Sequence, residues 1–459
     1  MAYLFKQPVK FTGAVLTPAQ MAQADTLAND TGRLMQAAGW AVARAIRQRF
    51  KPVSTLVLTG PGQNGGDGKV AAQTLARAGW PVRVKDFRDA TIAESERAGL
   101  VVDAIFGAGL TRALDPHTAD LLRAAKRLVA VDLPSGLDGA TGQVRGFAPQ
   151  ALLTVTFVRK KPGHLLFPGR ALCGELVLRD IGMAEEVIAQ IAPQTWENSP
   201  ALFTLPPRAA TGHKYSHGNL TILCGRMPGA ARLAGMAARR AGAGMVSLHA
   251  AQPMMLPEAG LIIRPEPLGQ LLEDARRTDW VIGPGLGVEA ASEALATLRA
   301  RPGLRILADA DALTACAGHP EALRGVRVIT PHEGEFTRLF GPPAPDKLSA
   351  ARRAATQIDA VVVLKGADTV IAAPEGQAAI NSNAPPWLAT AGTGDVLAGM
   401  IAAFMAQGLD PFCAACAGVW HHAEAARRVG PTMLAEDLPS AINLLRTQDF
   451  ITNQGISRP

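Results

Sequence analysis

From Val53 onward the chain repeats one pattern: a short apolar, β-branched run, then a loop of glycine, proline or acidic residues, then an alanine-rich stretch. Residues 54–60 (STLVLTG), 81–87 (PVRVKDF), 100–107 (LVVDAIFG), 127–136 (RLVAVDLPSG), 151–158 (ALLTVTFV) and 174–180 (GELVLRD) are such runs. Strands that alternate with helical stretches pair in parallel through crossover helices. The pattern therefore predicts a mostly parallel sheet with helices on both faces. Two helices precede it, 17–30, opened by Thr17-Pro18 as cap and first turn, and 32–50. A second series of the same kind runs through 218–225 (GNLTILCG), 244–250, 279–287 (DWVIGPGLG), 304–311 (LRILADAD), 326–335 (VRVITPHEGE) and 360–373 (AVVVLKGADTVIAA). Between the two series lies 196–218, with Pro200, Pro206, Pro207 and Gly212, which reads as a linker. No repeat period links the halves.

A chain of 459 residues is too long for one ordinary core, and its length alone predicts two or three domains. The net charge of +7 suits anionic partners, but the basic residues are scattered, with no run longer than Arg159-Lys160-Lys161, and aromatics are only 5%. Small anions fit this better than nucleic acid. The longest apolar run, 396–406, is too short to span a membrane, and the N-terminus lacks a signal peptide's apolar core, so a cytoplasmic location is expected. Five scattered cysteines read as reduced thiols. Cys413 and Cys416 spell C-x-x-C inside an alanine-rich stretch and read as core; His421, His422 and Glu424 there lack the second cluster a metal site needs.

The strand-end loops carry the chemistry, since in open α/β sheets these loops form the ligand crevice. In 60–68 (GPGQNGGDG), Gly60, Gly62 and Gly65 spell a dinucleotide fingerprint with Asp86 beyond. Asp67, however, would stand where a pyrophosphate must dock, and two anions at one helix N-terminus repel. The turn from Asn64 to Asp67 offers instead an amide oxygen, bare backbone and a carboxylate, suited to a cation or a hydroxylated ligand; Asp67 as a plain helix cap is the alternative. Neighbouring strand ends would bring Asn64, Asp103 and Asp132 to one rim, with Lys161 in the loop 159–164 nearby. In the second series, 283–287 (GPGLG), 331–335 (PHEGE), 365–369 (KGADT) and 391–395 (AGTGD) all follow strands. Glycine-rich backbone can approach phosphate oxygens, Lys365 and Thr369 add donors, and Asp395 either caps its helix or takes a proton from an attacking hydroxyl. No G-x-x-x-x-G-K-[ST] loop occurs, which excludes a P-loop enzyme.

At this point the residues resemble a known family. NGGDG (64–68), VDAIFGAGL (102–110), VDLPSGLDGATG (131–142) and KPGH (161–164) look like NAD(P)H-hydrate epimerase. GNLTILCG, GAGMVSL (242–248), GPGLG, TPHEGE (330–335), KGADT and AGTGDVLAG (391–399) look like ADP-dependent NAD(P)H-hydrate dehydratase. The fusion resembles the bifunctional NAD(P)H-hydrate repair enzymes over nearly the whole chain, residues 11–450. The resemblance implies two tandem three-layer α/β/α domains: a Rossmann-like epimerase over 1–207 and a ribokinase-like dehydratase over 208–459. The substrates would be NADH and NADPH hydrates, hydroxylated at C6 of the nicotinamide ring. The first domain would interconvert the R and S forms; the second would phosphorylate the S hydroxyl with ADP, releasing AMP and then phosphate.

The resemblance also implies roles. Asp132 and Asp395 would be catalytic, with Lys161 as electrostatic helper. The hydrate would contact Gln63, Asn64, Gly65, Gly66 and Asp67, then Gly107, Ala108, Gly109, Leu110, Thr111, Arg112 and Ala113, and Asp132; in the second domain it would meet Gly287, His332 and Asp395. Nucleotide would meet Lys365, Gly366, Ala367, Asp368, Thr369 and Gly394. A potassium ion would sit at Asn64, Asp103 and Ser135, and Mg2+ would accompany ADP. Nucleic acid and membrane are not expected as partners; a homo-oligomer is. The chain departs from the family pattern at Lys69, where an aromatic is expected, at Thr330, and in 212–219 (GHKYSHGN). The rival expectation is a ribokinase-like small-alcohol kinase fused to a non-catalytic nucleotide-binding module.

Overall fold

A computed structural model describes residues 13–207, 211–252, 254 and 257–444. The chain divides into two compact units between Trp196 and Glu197.

In the first unit the Thr17 hydroxyl accepts from the Gln20 N–H (3.2 Å) while the Gln20 side chain accepts from the Thr17 N–H (3.0 Å). This capping box starts α1 (Pro18–Ala28), and Asp30 caps α2 (Thr31–Arg49). Then follow β1 (Thr55–Thr59), α3 (Gln63–Arg77), β2 (Val82–Asp86), α4 (Ile92–Arg97), β3 (Leu100–Ala104), α5 (Pro116–Arg123) and β4 (Leu128–Val131). β5 (Leu153–Phe157), α6 (Gly169–Leu172), β6 (Glu175–Arg179) and α7 (Glu185–Ile191) complete it. All six expected strands form, in the parallel order β2-β1-β3-β4-β5-β6. From β1 the chain turns one way to β2 and then the other way to β3, so a crevice opens beyond their carboxyl ends. Period-two alternation splits the core between the faces. Val57, Val102, Val129 and Val131 pack with α1, α2 and α3, whereas Leu56, Leu58, Val101 and Leu128 pack with Leu121 and Leu122 of α5.

Residues 64–67 are helix, not a turn. α3 already begins at Gln63 behind Gly62, and Asp67 caps nothing. Glycine is needed there because the helix runs against the strand-end loop: a Cβ on Gly65 would stand 2.0 Å from the Gly60 carbonyl oxygen.

A short strand, β7 (Thr195–Glu197), spans the division. The second unit continues with β8 (Asn219–Cys224), α8 (Pro228–Arg240), β9 (Met245–Ala250), β10 (Ile262–Arg264), α9 (Leu268–Leu271), β11 (Asp279–Ile282) and α10 (Val288–Arg299). Next come β12 (Arg305–Ala308), α11 (Asp311–Ala315), β13 (Val328–Ile329), α12 (Glu333–Phe340) and α13 (Lys347–Ile358). β14 (Val361–Leu364), β15 (Val370–Ala372), β16 (Ala378–Ile380), α14 (Thr393–Ala406) and α15 (Pro411–Val429) follow. Among the described residues, β10-β9-β8-β11-β12-β13-β14 are parallel neighbours in that order, and β15 and β16 are added antiparallel. The apolar run 360–373 is thus two strands folded back at KGADT. α14 starts ahead of Asp395, which lies in the first turn behind Gly392 (φ +88°), with no side chain capping it. Gly399 lets α14 press on α8, since a Cβ there would stand 2.0 Å from the Ala234 carbonyl oxygen.

The division falls earlier than the 207/208 boundary suggested by the prolines, because residues 198–203 pack into the second unit. Asn198 Nδ2 donates to Asn381 Oδ1 (2.9 Å) and to the Cys416 carbonyl (3.0 Å), and Cys413 Sγ donates to the Leu202 carbonyl (3.3 Å). All five cysteines are free and buried, and burial raises the Cys413 and Cys416 thiols, so C-x-x-C is core. Among the described residues no helix is long and apolar enough to cross a membrane.

Two candidate active sites

In the first unit, the segments after β1, β3, β4 and β5 open onto a cavity of about 550 Å³. Gln63, Asn64, Asp67, the run Gly107–Arg112, Asp132 and Lys161 all line it. Gly65, Gly66 and Ala113 do not. Gly65 faces the Gly60 carbonyl and Gly66 faces the Met35 side chain, so both serve packing.

Asp132 follows β4 with φ +65°, a left-handed conformation that costs a non-glycine residue about 1 kcal/mol or more. His164 holds it there. The His164 Nδ1 accepts from the Lys161 N–H (2.9 Å), which leaves Nε2 to carry the proton and donate to the Asp132 carbonyl (2.7 Å). Burial lowers this imidazole to about 4, so it stays neutral. The strained backbone turns the carboxylate toward buried Lys161. Asp132 Oδ1 accepts from Lys161 Nζ (2.6 Å) and Thr156 Oγ1 (2.9 Å), and Oδ2 accepts from the Ala108 N–H (3.1 Å). Burial works to raise this carboxyl, but Lys161 and the donors outweigh it and hold Asp132 at about 2.

Asp67 is the opposite case. Burial, reinforced by the charges of Asp132 and Asp25, pushes it to about 8. At neutral pH Asp132 is ionised and Asp67 protonated in the same cavity, the arrangement that separates proton acceptor from proton donor, and burial raises the third carboxyl there, Asp25.

Beneath the rim, Asp103 is fully buried and accepts from Ser135 Oγ (2.6 Å), the Ser135 N–H (2.8 Å) and the Ile105 N–H (3.2 Å). Those bonds moderate a burial that still raises it to about 6, and no cationic side chain pairs with it among the described residues. Asn64 Nδ2 is buried without a hydrogen-bond partner. Sequence reasoning missed Asp25, Thr156 and His164. His164 stood in the KPGH motif; Asp25, on a helix far upstream, carried no signal.

In the second unit the reacting end lies over β12 to β14. Lys365 Nζ donates to Asp309 Oδ1 (2.8 Å) and stands 4.0 Å from Glu335 Oε2. Burial alone would lower Lys365; the two acids more than compensate and raise it. The AGTGD turn abuts this group, since a Cβ on Gly394 would lie 3.5 Å from Lys365 Nζ and 4.0 Å from Asp309 Oδ2. Asp395 is raised to about 6 by burial and then by Asp309, with Lys365 only partly offsetting them. It is mostly ionised at neutral pH yet close enough to neutrality to take a proton.

His332 caps α12: its Nδ1 accepts from the Gly334 (3.0 Å) and Glu335 (3.3 Å) N–H groups, leaving the ring exposed. The Gly287 N–H donates to Asp311 Oδ2 (2.8 Å). The KGADT loop exposes Gly366 and Ala367 but turns its donors inward. Thr369 Oγ1 donates to the Gly366 carbonyl (3.0 Å), and Asp368 is ion-paired with Lys347. Asp309, Asp311 and Glu335 were missed, although the repeated aspartates of LADAD at a strand end were a readable signal. His421 and His422 are buried and lowered to about 4, and no cluster of three or more His, Cys, Asp or Glu among the described residues is set to hold a metal.

Residues 220–444 match the family described as NAD(P)H-hydrate dehydratase, and residues 31–96 and 85–163 match that described as YjeF-related protein N-terminus. The bifunctional NAD(P)H-hydrate repair enzyme Nnr of Moorella thermoacetica is 37% identical, covering 92% of this chain and 95% of the relative. The enzyme of that name from Escherichia coli is 35% identical, covering 91% and 90%. A crystal structure of ADP/ATP-dependent NAD(P)H-hydrate dehydratase from Bacillus subtilis, co-crystallised with ATP/Mg2+, is 30% identical with a TM-score of 0.43, covering 52% of this chain and 92% of that one.

Proposed function

The chain belongs to the family of bifunctional NAD(P)H-hydrate repair enzymes, and from that premise we propose how its two centres divide the work. It epimerises the R and S hydrates of NADH and NADPH and dehydrates the S form at the expense of ADP. The observation that carries this reading is that each unit ends its parallel strands in its own lysine–carboxylate centre, around Lys161 in one and Lys365 in the other.

Epimerisation needs the C6 hydroxyl to leave and water to return on the other face. Protonated Asp67 gives its proton to the departing hydroxyl, the C6–O bond breaks, and the ring nitrogen's lone pair forms the cationic C=N. Water then adds from the opposite face while the Asp132 carboxylate takes a proton from it; proton exchange with solvent resets both groups. Lys161 keeps Asp132 ionised until that transfer and favours the loss of the proton afterwards.

In the second unit hydroxide is a poor leaving group and phosphate a good one. Asp395 removes the C6 hydroxyl proton as its oxygen attacks the β-phosphorus of ADP, releasing AMP. The free N–H groups at the start of α14 receive the charge on the transferring phosphoryl group. Loss of phosphate and of a C5 proton then restores the ring double bond. Lys365–Thr369 and Gly394 would contact the nucleotide, and Gly287, His332 and Asp395 the hydrate.

Two ions fit the residues. Asp103 is a buried carboxylate with only neutral donors, and the orphaned Asn64 amide presents oxygen in place of nitrogen once flipped. With Ser135 they would hold potassium, whose charge would tie the strand-end loops together. Magnesium takes one or two carboxylates plus phosphate oxygens. Asp309 and Glu335, which share a single lysine, would hold it, and it would neutralise phosphate charge on ADP. We place the enzyme in the cytoplasm, a compartment that suits five free thiols.

The small-alcohol kinase reading is not favoured, because the first unit carries an acid–base centre of its own. Mixed R and S hydrates supplied with ADP, ATP or neither test the proposal by recovery of reduced-nicotinamide absorbance. Full recovery with ADP is expected. Recovery limited to the S fraction would remove the epimerase, and a stable phosphorylated product would favour the kinase.

A further inference from the structure

The floor of the second site carries Asp309, Asp311, Glu335 and Asp395 against Lys365, which Asp309 and Glu335 already engage. Two polyanions, a dinucleotide hydrate and ADP, have to meet above it. Lys347, near the nucleotide loop, is committed to Asp368. Arg226 differs. It is exposed in the loop between β8 and α8, and among the described residues no carboxylate pairs with it. The loop is nonetheless built into the site. The Met227 N–H donates to the Gly285 carbonyl (2.9 Å), and Gly225 lies so close to Leu286 that a Cβ would stand 2.2 Å from its carbonyl oxygen. The Arg226 stem reaches over Gly287, where an added Cβ would lie 3.3 Å from Cδ.

Strand order sets Arg226 on the far side of Asp309 from Lys365. β8, β11, β12, β13 and β14 are successive neighbours, and strand spacing is about 4.8 Å. The Arg226 end is therefore roughly 19 Å from the Lys365 end and roughly 10 Å from the strand carrying Asp309. A nicotinamide ring at Asp395 with ADP toward KGADT has its own diphosphate, one ribose away, pointing to β8. A guanidinium fork binds such oxygens bidentately. We propose that Arg226 is the clamp for the diphosphate of the dinucleotide hydrate, and thereby selects dinucleotides over smaller hydrated nicotinamides.

This rests on the dehydratase reading, so the test uses the full chain with pure S hydrate and ADP. Arg226→Ala should raise KM for the hydrate on the order of 10- to 100-fold, the range for a lost charge-assisted hydrogen bond. It should leave kcat within about twofold and KM for ADP unchanged, which also shows that the variant folds. Arg226→Lys should fall between. The S hydrate of reduced nicotinamide riboside, which has no phosphate, should be turned over equally by wild type and Arg226→Ala. A rise in KM for ADP instead, or an equal loss with the riboside hydrate, overturns the clamp. Failure of wild type to turn over the S hydrate overturns the dehydratase reading and the clamp with it.

Discussion

Lys161→Met tests whether the first centre is held by its ion pair. Both side chains are largely buried, Lys161 3% and Asp132 15% exposed, with 2.6 Å between Nζ and Oδ1. Methionine keeps most of the volume, so the loss is chiefly the cation. Removing one partner of a buried pair costs roughly 3–5 kcal/mol, because the other charge stays buried without compensation. The pH dependence has a definite sign. In the wild type Asp132 sits at about 2, below its ordinary 3.8, so its stabilisation is complete above about pH 4 and is lost as pH falls toward 2. Without Lys161, burial pushes the carboxyl above its ordinary value, so the variant pays an increasing penalty as pH rises from 4. The difference between the proteins should therefore be larger at pH 8 than at pH 4.5. Hydrogen exchange at the β4–β5 amides, including the Asp132 N–H bound to the Val155 carbonyl, isolates the first unit from the second. Lys161→Met combined with Asp132→Asn should recover most of the loss. A difference below about 1 kcal/mol at pH 8, equal differences at both pH values, or a double variant no better than the single would refute the reasoning. R-to-S conversion should disappear in both variants while dehydration of pure S hydrate continues.

Asp395→Asn should fold within about 1 kcal/mol of wild type, since no cap depends on it, yet lose 10²–10⁴-fold in ADP-dependent turnover. In the wild type kcat/KM should fall as pH drops through about 6, where this base is protonated, and the variant should lack that limb. Asp103→Ala, or replacing potassium by a large organic cation, should slow epimerisation and spare dehydration; indifference to both would remove the potassium site. A chain begun at Glu197 should be soluble and dehydrate S hydrate alone. One begun at Arg208 should be less stable, because it lacks Asn198 and its bonds to Asn381 and Cys416.

Much of this architecture was legible because backbone pairing follows local pattern. Each β-branched run in 54–180 became a strand, and Asn64, Asp67, Gly107 and Asp132 beyond the strand ends landed at the first cavity. What was not legible depended on distance in sequence. Asp25 reaches the cavity from a helix ahead of the sheet, and nothing in its neighbours distinguishes it from a solvated helix residue. Gly65 and Gly66 read as ligand contacts but serve close packing, because a glycine motif does not say whether backbone or ligand approaches it. The prolines at 206 and 207 drew the boundary downstream, since composition marks where a chain turns and not which core the preceding residues join.

The two centres use the same ingredients with opposite charge balance, and that balance assigns their chemistry. In the first, Lys161 is committed to Asp132, and Asp67, buried near Asp132 and Asp25, keeps its proton to about pH 8 and is the proposed acid. In the second, Lys365 is committed to Asp309 and Glu335, and Asp395 receives only part of its field. Its carboxyl rises to about 6, a stronger base than Asp132 at about 2 and still ionised at neutral pH. Breaking a C–O bond so that water can return needs a proton donor; activating a hydroxyl toward phosphorus needs a base. Burial raises both carboxyls in the first place, and the carboxylate each lysine reaches first decides how much of that rise is offset.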